Sequence, residues 1–172
     1  TGPQGTWVID GDSIDIERQN IIDLYSGHWT LFADDLSGLM THEYALYDTT
    51  DLTYVSGWGS ADLDTAAVIS GLNLTPDHVY QLHVRGVDQV HNTGALVSSN
   101  GVLIDLSAPE APQDLLGFFS TERIYLTWSA NTEEDLSLYK VYAGNESNAT
   151  VSILETENPT AEPSKFPTKK PT

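Results

Sequence analysis

The sequence contains no cysteine, one methionine, and only 7 lysines and arginines against 25 aspartates and glutamates. Without thiols there is no disulfide framework, no cysteine–zinc site and no thiol nucleophile. A formal charge of −18 repels phosphate backbones and anionic bilayers, so neither nucleic acid binding nor membrane insertion is expected. Such a surface attracts cations and basic proteins instead. The imbalance is uneven, because residues 1–110 hold 16 acidic and 2 basic side chains while residues 111–172 hold 9 and 5. No apolar run of about 18 residues is present, and no segment carries a stripe at the helical period. The chain opens on Thr1 without a secretory leader pattern, as expected of a processed protein or a piece of a longer one.

What is present is alternation. In "SGLNLTPDHVYQLHVRGVD" (70–88), Tyr80, Leu82, Val84 and Gly86 fall on one face of an extended chain, with Gln81, His83 and Arg85 on the other. Period two means a half-buried strand, and Pro76 marks the turn that feeds it. A tyrosine at the first inward position buries its ring while its hydroxyl still needs a partner. The turn backbone is the nearest supply, so Leu74, Pro76 and Tyr80 read as the tyrosine corner of a Greek-key sandwich. Further short runs lie at 7–9 and 14–17, and in "THEYALYD", "TYVSGWG", "TAAVIS" and "ALVSSNGVLID". After residue 28 the pattern places Trp29, Leu31 and Ala33 on one face against Thr30 and Phe32. Seven or eight short strands between Gly, Asp, Asn and Pro clusters predict an all-β Greek-key β-sandwich over residues 1–108.

"DLSAPEAP" (105–112) punctuates the chain with two prolines and small residues, which end one domain and stiffen the connection to the next. The pattern then restarts over residues 109–157. Ile124, Leu126 and Trp128 share one strand face, and Tyr139 and Val141 share the next. This repeats the Trp29 and Tyr44 strands. About four strands of this second sandwich are recognisable and about three are lacking. Half a sandwich exposes an apolar face and open strand edges. Either the chain is cut from a longer protein or a neighbouring copy completes the sandwich by strand addition. Residues 158–172, rich in Pro and Thr, read as an extended, polyproline-like tail or linker.

These features resemble fibronectin type III domains. The residues that carry the likeness are the inward strand tryptophan, the Leu74–Pro76–Tyr80 corner, the "APEAP" junction and the "YKVYAG" strand (139–144). "DDLSGLMTHEYALYD" and "VRGVDQVHNTG" are similar to the variant found in tandem arrays on large extracellular proteins. The resemblance covers about residues 5–155. It implies the fold and an extracellular or cell-surface setting, with adhesion, spacing or protein binding as the work of such modules. Three Asn-x-Ser/Thr sequons, at Asn73, Asn145 and Asn148, point to the same compartment and to a glycoprotein.

Catalytic patterns are sparse. "GWGSADLD" (57–64) is not a Gly-x-Ser-x-Gly elbow, and no phosphate loop occurs. His28, His42, His78, His83 and His91 form no helical pair, and His28 and His83 fall on outward faces, expected to be solvated. "DGDSIDIE" has the oxygen density that calcium favours, which makes Asp10, Asp12 and Asp15 the candidate metal ligands. It lacks the glycine and glutamate spacing of an EF-hand loop. No other cofactor is expected. Asp34, Asp35, Asp88 with Asn92, and Asp105 read as capped turns or solvated acidic faces. Trp29 and Trp128 are expected in the cores. Trp58, in "SGWGS", either folds over a sandwich edge or stacks on a glycan. Tyr47, Tyr125 and Tyr142 offer contact area to a protein partner. No feature fixes two carboxylates across a cleft. The expectation is a non-enzymatic structural or adhesive module whose partners are other protein domains, including copies of itself. The alternatives are a glycan- or calcium-binding module, or the spacer domain of a secreted hydrolase.

Overall fold

The computed structural model describes residues 2–120, 123–133, 136–142, 152–156 and 160–161. Contacts divide the chain into two compact units, Thr1–Leu106 and Ser107–Thr172. Among the described residues every regular element is a strand, and no helix is long and apolar enough to cross a membrane.

The first unit contains β1 (Val8–Asp10), β2 (Arg18–Gln19), β3 (Leu24–Trp29), β4 (Leu39–Asp48) and β5 (Thr53–Tyr54). It continues with β6 (Gly59–Ser60), β7 (Ala66–Ser70), β8 (Val79–Asp88), β9 (Val97–Ser98) and β10 (Val102–Ile104). One sheet has the order β1-β3-β7. The other has the order β2-β10-β8-β4-β5, with β6 also on β4 and β9 on β8. All pairs are antiparallel except β2 with β10. The chain crosses between sheets from β3 to β4, returns from β6 to β7 and crosses again from β7 to β8, which is a Greek-key path.

The sheets close on one core. Tyr25 and Trp29 from the first sheet meet Leu46, Tyr80, Leu82, Val84, Val102 and Ile104 from the second, none more than 2% exposed. Each such side chain contributes roughly 1.5–3 kcal/mol of transfer free energy. The alternation along β8 runs as expected, and its inward glycine has a steric reason. A Cβ on Gly86 would lie 2.7 Å from the Pro3 ring and 3.0 Å from that of Phe32.

The alternation expected after Trp29 reverses. β3 ends at Trp29, Leu31 is 61% exposed and Phe32 only 2%. Once the backbone leaves the sheet, the Phe32 N–H donates to His42 Nε2 at 3.2 Å and its ring packs edge-on against that imidazole. A strand at 14–17 is also not formed. Ile14 is exposed, and the chain pairs only at β2, parallel to β10.

The second unit contains β11 (Gln113–Ser120), β12 (Arg123–Ser129), β13 (Tyr139–Tyr142), β14 (Ser152–Thr156) and β15 (Thr160–Ala161). β11-β12-β15 form one antiparallel sheet and β13-β14 a second. Trp128 and Tyr139 are buried beside Leu126, Leu136 and Val141. Asn145, Asn148 and, apart from β15, the tail lie outside the described residues.

Candidate functional site

At one end of the first unit the tyrosine corner is a polar cluster. The Tyr80 hydroxyl accepts the Thr75 N–H at 2.9 Å, and its proximity helps to lower the Asp48 carboxyl. Leu74 is buried beside it, and Pro76 is exposed in the turn. Asp48 also accepts the Thr50 N–H at 2.8 Å, the Asp51 N–H at 3.0 Å and the His78 Nδ1–H at 2.8 Å. Burial opposes the Asp48 charge, but these bonds outweigh it and hold its carboxyl below the usual range. The Asp48 hydrogen bond pushes His78 up. Asp48, Asp51 and His78 bring their ligand atoms within 4.8 Å of one another. The Asp48 oxygens are already committed to backbone donors and to His78 Nδ1, so this part of the cluster reads as a structural latch.

The predicted calcium set is parted. Asp10 is fully buried with its carboxylate turned inward, whereas Asp12 and Asp15 are exposed. Asp15 instead accepts the Asp10 N–H at 3.1 Å. The Tyr25 hydroxyl sits 2.6 Å from Asp10 Oδ1 and 2.9 Å from the Tyr80 carbonyl. The Gly101 N–H, on a residue with φ +104°, donates to Asp10 Oδ2 at 2.9 Å. A phenol has one proton for those two acceptors, and the shorter contact is the one to the Asp10 carboxyl. Burial, the largest influence on this carboxyl, pushes its pKa up.

Asp88 and Asn92 bracket a capped turn. The Asp88 carboxylate accepts from the Ser37 hydroxyl, the backbone of Val90 and Asn92, and the Asn92 amide. Asp34 caps the facing loop through the Leu36 N–H, and its Oδ2 lies 2.8 Å from the same Ser37 hydroxyl, whose one proton Asp34 and Asp88 share.

The outer face of the second sheet carries an aromatic and charged patch. Trp58 is 37% exposed, with the Arg85 guanidinium 4.0 Å above its ring. Arg85 is anchored by Glu43 at 2.7 Å. Tyr54 leans on Trp58 and places its hydroxyl 3.0 Å from His83 Nδ1, while Tyr47 stacks on the same imidazole at 4.8 Å. His83, expected to be solvated, is therefore only 7% exposed, and burial lowers its pKa. The two tyrosines cover it because β5 folds back along β4 and pairs Tyr47 with Tyr54. The Arg85 stack, of about 0.5–1 kcal/mol at an exposed site, occupies one face of Trp58, the residue singled out for glycan stacking. Asn73 is exposed in the loop ahead of the corner.

The second unit presents an open apolar face. Register pairs Gly117 with Leu126 and Phe119 with Ile124, so these share a face with Trp128. Outward, Phe118 stacks on Tyr125 at 5.0 Å. Phe119 is 65% and Ile124 41% exposed. A groove of about 610 Å³ runs beside them, lined by Leu115, Leu126, Trp128, Leu136, Tyr139 and Val141 among others. Tyr139 repeats the corner logic by accepting the Asn131 N–H at 2.8 Å. In the first unit β4 pairs with β8 along one edge. The corresponding strand here, β13, pairs with β14 alone among the described strands.

No family model matches this chain, and no curated protein does. Among solved structures it is similar to the FN1–FN3 domains of chicken CNTN1, at 16% identity and TM-score 0.40, covering 77% of this chain and 42% of that one. It is also similar to the twitchin kinase region from C. elegans (Fn31-NL-kin-CRD-Ig26), at 12% identity and TM-score 0.43, covering 67% and 19%. The chain thus spans less than half the length of either. The fold rests on its own strand order and core, and the first unit is an all-β Greek-key β-sandwich.

Proposed function

We propose that this protein is a non-enzymatic extracellular structural or adhesive module that works by lateral protein contact, with neighbouring domains or copies of itself as partners. The observation that carries this reading is the open face of the second unit. Ile124 and Phe119 stand exposed beside buried Trp128, on a surface that soluble chains normally cover. The first unit supports it as a rigid spacer closed by its polar corner. The exposed sequon at Asn73 and the strongly acidic composition fit a secreted or cell-surface setting.

The test is light scattering on the purified full chain, with electron microscopy of the same sample, alongside glycan mapping of the secreted protein. A defined oligomer or filament and an occupied Asn73 are the expected results. A monomer that captures no protein, together with an unglycosylated cytosolic product, overturns the reading.

A further inference from the structure

One end of the first unit is fastened on a buried imidazole. His42 is 0% exposed. Its Nε2 accepts the Phe32 N–H at 3.2 Å, so the ring is neutral and carries its hydrogen on Nδ1. Nδ1 is buried without a hydrogen-bond partner. Trp29 at the end of β3 and Phe32 in the next loop pack on the imidazole, with ring centres 5.7 and 5.2 Å away. Gly86 is its register partner on β8. From residues 61–64 the Asp62 carbonyl accepts the His42 backbone N–H, and the Asp62 and Asp64 side chains are exposed. Among the described residues no carboxylate is hydrogen-bonded to this ring. Phe32 in turn holds the amino-terminal segment. Pro3 is fully buried, and Gln4 and Ala33 exchange two backbone hydrogen bonds at 2.9 Å. Gly5 runs so close to the Phe32 ring that a Cβ there would collide with it.

We infer that His42 is an acid-operated fastener: when its Nε2 takes a proton, Phe32 is released, and residues 2–5 and 30–38 open together while the strands stay paired. This goes beyond the protein-contact reading and is independent of it. The chemistry is a clash of donors. A proton taken from solvent onto Nε2 leaves no lone pair for the Phe32 N–H and sets two N–H groups against each other. The imidazolium is also a buried charge without a counter-ion, which opening relieves by admitting water. Burial, the largest influence on the ring, holds it neutral until the pH falls below the ordinary histidine value of about 6.5. A lowered histidine keeps its stability above the unfolded value and loses it as the pH falls. The other charged groups of this loop, Asp34 and Asp88, share the Ser37 proton and both lie below the usual carboxylate range. They therefore stay charged while His42 titrates. His83, the other lowered imidazole, is packed by Tyr47 and Tyr54 on the outer face instead. Opening bares the Phe32 ring and the flank of Trp29, which turns a closed end of the sandwich into an apolar one.

The test is amide exchange by NMR on the full chain between about pH 7.5 and about pH 5, corrected for intrinsic exchange, beside the titration of the His42 Cε1–H. Protection at Gln4, Phe32 and Ala33 should fall together, by up to about tenfold per pH unit for one coupled proton. Leu82 and Val84 on β8 should keep theirs. In His42→Gln, whose amide oxygen can still accept the Phe32 N–H, the fall should vanish. The native titration stands without that variant, because the fall must follow the His42 resonance. Protection that does not change over this range overturns the inference. So does a fall shared by Leu82 and Val84, which is global unfolding, or one that persists in His42→Gln. A fall with its midpoint in the carboxylate range assigns the opening to Asp34 and Asp88, and overturns it too.

Discussion

The same strand tryptophan ends up in two different surroundings. Trp29 is 2% exposed and its neighbours two and four residues back, Gly27 and Tyr25, are sealed beneath β8 and β10. Trp128 is 8% exposed, yet Ile124, four residues back, is 41% exposed. Tyr80 and Tyr139 each accept one turn N–H, but Tyr80 is 1% exposed beside the buried Asp48 whereas Tyr139 is 8% exposed. A strand's inward face is written in its own residues, but what that face is worth depends on whether other strands arrive to cover it.

Core truncation should separate the units most sharply. Leu82→Ala is expected to cost about 2–5 kcal/mol, because Leu82 is buried against both sheets. Ile124→Ala should cost under about 1 kcal/mol, since much of that side chain already meets water. Denaturant unfolding followed by unit-resolved hydrogen exchange measures both, and equal losses would mean that the second face is covered after all.

The corner hydroxyls come next. Tyr80→Phe leaves the Thr75 N–H without its acceptor beside the buried Asp48, at a cost of about 1–3 kcal/mol. Tyr139→Phe leaves the half-buried Asn131 N–H to find water and should cost about 0.5–1.5 kcal/mol. Thermal midpoints of the two variants rank them.

A smaller effect is pH-dependent and confined to the first unit. His78 is raised by its Asp48 bond, so its contribution is complete below its unfolded value near 6.5 and fades as pH rises through its folded pKa. Asp48 is lowered, so its share fades only in acid, below its unfolded value. Burial lowers His42 and His83, and these act in the opposite sense to His78. The quantity to measure is therefore the difference between the protein and His78→Gln. Its midpoint deficit should be larger near about pH 6 than near about pH 9; a constant deficit would detach His78 from the latch.

The gentlest change tests the buried acid. A raised Asp10 contributes stability that is full below its unfolded value of 3.8 and is lost as pH rises through its folded value. Asp10→Asn keeps the shape of the protonated acid, so it should be at least as stable as the native protein near neutrality, with its advantage growing as pH rises. A loss of more than about 2 kcal/mol would show a charged Asp10 held by hydrogen bonds.

The alternation of Tyr80, Leu82 and Val84, the Pro76 turn and the recurrence of the tryptophan strand were all readable along the chain. Each rests on period-two side-chain geometry or on the backbone limits of proline, which act locally. The acidic run at Asp10, Asp12 and Asp15 was readable only as composition. Which carboxylate turns inward was decided by Tyr25 and Gly101, the latter 91 residues away. The cover over His83 and the Arg85 stack on Trp58 came from strand pairing, because β5 and β6 fold back on β4 while β8 pairs with its other edge. The reversal at Phe32 likewise waited on His42. Sequence by itself determined the alternation along β8, the Pro76 turn and the recurring tryptophan strand, since these follow from bonds between near neighbours. Tertiary structure alone decided which faces are sealed, which acid is buried and which indole is capped, because those depend on contacts between residues far apart along the chain.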